Sequence, residues 1–143
     1  MLLADHAEAV NGKLYILGGG WSVTGPRPVP FAIALKIDVP WDRANDPHRL
    51  RLELLDGDGR PVETRQQPDS EPLPVSVTGT FEVGRPPGVI RGTPLDSVLV
   101  INFPGGLELP PGDRYEWRLF INDATDEDWT VGFTTRPLPP GTS

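Results

Sequence analysis

The chain has 143 residues, 13 of them basic and 20 acidic, with two His, no Cys and a net charge of −7. That length suits one domain around one hydrophobic core, and the lack of Cys excludes disulfide frameworks, thiolate metal sites and thiol nucleophiles. The acidic balance argues against nucleic acid, whose phosphates require clustered Lys and Arg.

The first ten residues have no basic leader, and Asp5, His6 and Glu8 interrupt their apolar run, so they do not read as a signal peptide. No stretch nears the roughly 18–20 consecutive apolar residues of a membrane span. The expectation is a cytoplasmic protein. Asn11-Gly12 separates two short apolar-containing runs, 7–10 and 14–17, and Asn-Gly tolerates positive φ at both centres of a type I′ hairpin. His6 falls on the first of these strands. Gly18-Gly19-Gly20 then precedes Trp21. A phosphate-cradling loop needs a helix N-terminus or a Lys after its glycines, whereas Ser22 and Pro-rich sequence follow here. These glycines therefore read as a bulge or close backbone approach, with Trp21 packed over the end of the domain.

Phe31 to Val39 alternates most clearly: Phe31, Ile33, Leu35, Ile37 and Val39 share one face, and Ala32, Ala34, Lys36 and Asp38 the other. Trp41 follows Pro40 and reads as a plug for the core, with a sugar-stacking platform as the alternative. His48 follows Pro47 in a polar loop. Leu50, Leu52 and Leu54 alternate with Arg51 and Glu53, and Asp56-Gly57-Asp58-Gly59 closes a hairpin onto 62–66. Val75, Val77, Phe81 and Val83 form the next apolar face.

The long loop over 83–94 presents Val89 and Ile90 between Arg85 and Arg91, apolar and Arg side chains of the kind found in protein interfaces. Residues 97–103 form a continuous apolar run, expected of a strand covered on both sides or lying centrally. Leu109-Pro-Pro-Gly-Asp-Arg-Tyr115 places a Tyr at a strand start after a turn, like the tyrosine corner of sandwich folds. Tyr115, Trp117, Leu119 and Ile121 line one face of the following strand, and Trp129, Val131 and Phe133 that of the last. The tail over 137–143 is Pro-rich and expected to be extended and frayed.

No window carries a sustained helical period. The pattern predicts an all-β domain over 1–136: eight or nine strands in a two-sheet antiparallel β-sandwich, immunoglobulin- or C2-like. An open barrel or jelly roll is the alternative. Counting strands as strictly antiparallel puts the 56–59, 84–96 and 123–128 loops at one end. Asp56, Asp58, Asp123, Asp126 and Asp128 would then converge, and several hard oxygens would suit Ca²⁺; the alternative is that they are ordinary turn and surface carboxylates. A serine triad has only His6 and His48 as bases, with no Gly-x-Ser-x-Gly, no His-Glu-x-x-His and no close His pair. No enzymatic activity and no cofactor are expected.

The segments Leu3-Ala-Asp-His-Ala-Glu8 and Asn11-Gly-Lys-Leu-Tyr-Ile-Leu-Gly-Gly-Gly-Trp21, with the later Gly112-Asp-Arg-Tyr115, resemble a family of small actinobacterial proteins of unknown function. The resemblance is sharpest over the first 20 or so residues. It implies an all-β, free-standing domain and supplies no ligand or catalytic residue. The leading functional expectation is a non-catalytic β-sandwich that binds a protein partner or self-associates through an edge strand, using the 83–94 loop and a free N-terminal hairpin. A C2-like module binding Ca²⁺ and then an anionic ligand or membrane surface is second. A carbohydrate-binding module using Trp21 or Trp41 is third.

Overall fold

The structure, a computed structural model, describes residues 1–65 and 67–141. Among these residues there is no α-helix and there are twelve strands: β1 (Leu2–Ala4), β2 (His6–Val10), β3 (Lys13–Leu17), β4 (Val23–Thr24), β5 (Phe31–Val39), β6 (His48–Asp56), β7 (Glu63–Thr64), β8 (Leu73–Pro74), β9 (Ser76–Phe81), β10 (Leu95–Phe103), β11 (Arg114–Ile121) and β12 (Thr130–Thr135). The excess over eight or nine comes from the short strands β1, β4 and β8, which lack the length to show a period of two. Of the strand expected over 62–66, Glu63 and Thr64 form β7, while Gln66 lies outside the described residues. The tail shows no strand over 137–141, and Thr142 and Ser143 also lie outside.

The strands form a three-stranded sheet, β1-β5-β10, a five-stranded sheet, β4-β12-β11-β6-β9, and two hairpins, β2-β3 and β7-β8. Every pairing is antiparallel except β4 with β12, which is parallel. Alternation explains the core. Leu3, Ile33, Leu35, Ile37, Val39 and Leu95 from the three-stranded sheet bury against Leu50, Leu52, Leu54, Tyr115, Trp117, Leu119 and Phe133 from the five-stranded one. Trp117 is fully buried, and its ring centroid lies 5.5 Å from that of Phe103, which stacks on Phe31 at 4.6 Å.

The second face of β5 is buried only in part, for a reason of size. Ala32 and Ala34 pack with Ala7 of the β2-β3 hairpin, flanked by Leu2, Leu14 and Val100. Small side chains on both surfaces let the hairpin lie flat on the sheet. Where Lys36 and Asp38 replace Ala, this face is exposed. The hairpin turn has the expected conformation, with Asn11 at φ 50° and Gly12 at φ 73°.

The start of β11 behaves as its sequence suggested. The Tyr115 hydroxyl donates to the Pro110 carbonyl at 2.8 Å, and the same oxygen accepts from Thr135 Oγ1 at 3.0 Å. Burial, followed by the charges of Asp113 and Asp56, raises the phenol pKa and keeps it a donor.

Candidate functional site

The three-stranded sheet has two open edges, and they are the most distinctive chemistry the fold offers. The first follows from the brevity of β1, which pairs with β5 only from Ala4↔Ala32 to Leu2↔Ala34. Beyond that point β5 has no neighbour on this side. Six consecutive residues, 35–40, line a cavity of about 530 Å³ there. Successive strand residues point to opposite faces, so a wall formed by consecutive residues is the strand's edge rather than one of its faces.

The other walls come from the five-stranded sheet and its loops: Phe81 on β9, Leu119 and Ile121 on β11, then Trp129, with Met1 at the end nearest β1. Polar groups gather at the rim. Lys36 pairs with Asp38 at 3.0 Å and with Asp96 at 3.3 Å. The Lys36 hydrogen bond holds the Asp38 carboxyl below its usual range, while Asp38 and then Asp96 raise the Lys36 pKa.

His48 also lines this cavity and was not found by sequence reasoning, which placed it in a polar loop. It is the first residue of β6, buried, and stacked on Phe81 at 5.2 Å. Asn122 Oδ1 accepts from the Arg49 amide at 2.9 Å, which turns its Nδ2 to donate to His48 Nδ1 at 3.1 Å. A neutral ring then carries its proton on Nε2, and that buried atom has no partner among the described residues. The available signal was His48's even spacing from Leu50, Leu52 and Leu54, masked by the preceding Pro47.

The second open edge is β10. Its nine residues pair with β5 without a break, from Leu95↔Val39 to Phe103↔Phe31, and it is the last strand of its sheet. The sequence led to a strand covered on both sides or lying centrally. One face does meet the core and the other the hairpin, yet the strand is not central. Among the described residues, no backbone hydrogen bond joins 95–102 to any segment other than β5. The hairpin expected to be free lies with β2 across β5 and β10, and with β3 on β10. Tyr15, Ile16 and Leu17 of β3 are left exposed, and the Leu17 carbonyl accepts from the Asp5 amide beside β1, across the sheet from β10.

The loop residues expected to form an interface divide between two roles. Arg85 donates from Nε and Nη2 to the Trp41 carbonyl at 3.2 and 2.7 Å, and its guanidinium lies 4.7 Å above the Trp41 ring. Val89 is half-buried against the core, whereas Ile90 is 80% exposed and Arg91 exposed beside it. The loop is thus anchored on its own domain and presents only its tip. With Arg85 on Trp41, and Trp21 packed edge-on against Phe31 and Phe133 at 6.0 and 5.8 Å, these Trp rings do not form a coplanar exposed pair.

The acidic loops do not converge. Asp56 is opposite Tyr115 on β11, and Leu50 opposite Ile121, so the 56–59 and 122–128 loops leave opposite ends of this ladder, about 20 Å apart at ~3.3 Å per residue. The strand count fails at Val62. Its amide bonds to the Leu54 carbonyl, but β9 then takes over the β6 edge from Glu53 onwards, so 57–75 is one excursion from one end. The carboxylates are also engaged locally. Asp56 Oδ1 accepts from the Asp58 and Arg60 amides, Asp126 Oδ1 from the Asp128 amide, and Asp123 pairs with Arg49 at 2.8 Å and Arg51 at 3.3 Å. No group of three or more metal-ligating side chains occurs among the described residues. Millimolar Ca²⁺ is therefore expected to leave the thermal midpoint within about 1 °C of that in EDTA, since binding at 100 times Kd adds about 2.7 kcal/mol and shifts it by several degrees. Scanning calorimetry checks this, and a clear rise would restore the metal reading.

No helix among the described residues is long and apolar enough to cross a membrane. No curated protein and no solved structure matches the chain. Residues 1–131 match DUF6941, a family of unknown function, and the chain belongs to that family.

Proposed function

We propose that this is a non-catalytic, cytoplasmic protein of the immunoglobulin/C2-like sandwich kind that works by protein–protein contact, and that it self-associates through β10. The observation that carries this reading is the open nine-residue edge. Proteins ordinarily blunt such an edge with charges, Pro, a bulge, short length or a covering segment. β10 has no Pro, an unbroken register and one charged residue, Asp96, near its end. The sandwich reading is supported by the core shared between the two larger sheets and by the Tyr115 hydrogen bond to Pro110.

A two-fold pairing centred on Leu99 aligns the edge with itself. It sets Asp96 opposite Asn102 and Val98 opposite Val100 of the second copy, so no like charges meet, and it closes as a dimer without leaving β10 free.

Sedimentation equilibrium from micromolar to several hundred micromolar tests this. A dimer is expected for the natural chain, with association weakened at least tenfold, towards monomer, in Val98→Lys. Val98 is on the face beside Lys36, Asp38 and Asp96, where a solvated Lys fits the monomer, so its melting temperature should change little. A natural chain that stays monomeric over the whole range ends the proposal.

A further inference from the structure

We propose that the slot beside residues 36–39 of β5 receives an extended peptide from another chain, which adds antiparallel to β5 in line with β1. This goes beyond self-association through β10 and uses the opposite side of the same sheet.

Four observations define the occupant. First, β1 covers β5 only as far as Ala34, and continuing its register sets Met1 against Leu35, so Lys36, Ile37, Asp38 and Val39 have no strand opposite on the side away from β10. Among the described residues, the backbone groups of 35–39 on this side make no bond to any other segment. Alternate amides and carbonyls along an open edge are satisfied together only by another strand or by water.

Second, the five-stranded sheet continues beneath this gap. Leu119, Ile121 and Trp129 face it without a covering strand, and Trp129 is 36% exposed. The cavity is therefore the place of one absent strand, with an apolar floor and a hydrogen-bonding wall. A compact apolar ligand would fill the floor and leave the wall unpaired; an extended peptide satisfies both.

Third, directly opposed residues in an antiparallel pair share a face. The peptide residues opposite Ile37 and Val39 point to the floor and should be apolar. Those opposite Lys36 and Asp38 point outward, beside the charges already there. Fourth, those charges alternate in sign, which favours an acidic residue opposite Lys36 and a basic one opposite Asp38. Read in its own direction, the ligand carries apolar, basic, apolar, acidic residues, and its C-terminal end points at Met1. The chain's own tail does not supply it, because β12 ends at the opposite end of the β11 ladder, with Pro137 packed near Gly112.

The probe is acetyl-Thr-Val-Lys-Val-Glu-amide, titrated into ¹⁵N-labelled protein and followed by amide shifts. Saturable changes are expected at 36–39, Leu119, Ile121 and the Trp129 indole, with a Kd below about 1 mM, the affinity of a bond worth ~4 kcal/mol. Two further peptides carry the same side chains but N-methyl groups, one on both Val, the other on Lys and Glu. Only alternate amides face β5 in an antiparallel ladder. One methylated peptide should therefore lose binding at least tenfold, while the other stays within about threefold. Ile121→Glu, which puts a charge on the floor, should lose the unmethylated peptide at least tenfold. Because the methylation pair is read on the natural chain, the test stands even if that variant fails to fold. Absence of saturable shifts at 36–39 overturns the proposal. So does equal binding of both methylated peptides, which would make the slot a cavity for apolar ligands. Shifts confined to 95–103 also overturn it and would report on β10 instead. Repeating the titration in Val98→Lys separates the two readings, since peptide binding should persist there whether or not the chain dimerises.

Discussion

Replacing Trp117 by Ala is expected to lower stability by about 3–5 kcal/mol, the usual cost of truncating a large buried aromatic. For a domain of this size that is a fall of roughly 10 °C or more in thermal midpoint, and a large share of the ~5–15 kcal/mol that holds most domains folded. Trp117 is fully buried in the middle of β11, opposite Leu54 on β6 and Val131 on β12. Its ring reaches across to Phe103, and through it to Phe31, so one side chain fills the space between the two larger sheets. Removing it opens a cavity that neither sheet closes by a local shift, because each is held by its own ladder. Trp117→Phe should cost much less. The indole Nε1 is buried with no hydrogen-bond partner, and an unpaired buried donor itself costs about 1–3 kcal/mol. Phe removes that donor and part of the volume together. Urea unfolding of both variants decides the matter: equal losses would mean that the indole N–H has a bonded partner in solution.

Gly106→Ala is expected to cost about 2 kcal/mol or more, and the adjacent Gly105→Ala almost nothing. Gly106 has φ +67°, and a Cβ there would collide with the backbone of Val29, its carbonyl oxygen above all. The left-handed conformation alone costs a residue with a side chain on the order of 1 kcal/mol. The collision adds more, because backbone cannot turn aside as a flexible side chain does. Val29 leads into β5, so this contact seats the 104–113 connection against the entry to the central strand of the three-stranded sheet. Gly105 has no such φ and no atom within 4 Å of its would-be Cβ. Thermal melts of the two variants give the comparison directly. A small loss at Gly106 would show that the two segments separate readily, and a large one at Gly105 would show that the turn cannot tolerate any side chain.

The same pair of glycines shows where reading the chain stops. Two adjacent Gly after Phe103-Pro104 mark a turn, and nothing local distinguishes the one that touches Val29, 77 residues earlier in the chain. His48 is similar. Its phase with Leu50 places it on the inner face, but Pro47 makes the sequence read as a loop until β9 is seen to pair with β6 as far as Phe81↔His48. The acidic loops failed on a single pairing, since Val62 begins a return along β6 that β9 then completes.

What the sequence by itself determined was whatever repeats at short range. The period of two identified the strands at 31–39, 50–54, 75–83 and 115–121 and chose their buried faces, because side-chain alternation is a property of each strand alone. Asn11-Gly12 specified its turn through φ, and the turn before Tyr115 placed the phenol within reach of Pro110. Which strands are neighbours was decided only by the tertiary structure. That choice made β10 an edge although its residues read as covered on both sides or central, ended the cover of β1 before Lys36, and sent the aspartates to opposite ends. The physical reason is that an edge or a slot is a backbone group left without a partner, and partners here come from strands dozens of residues away, whose arrival no local pattern records.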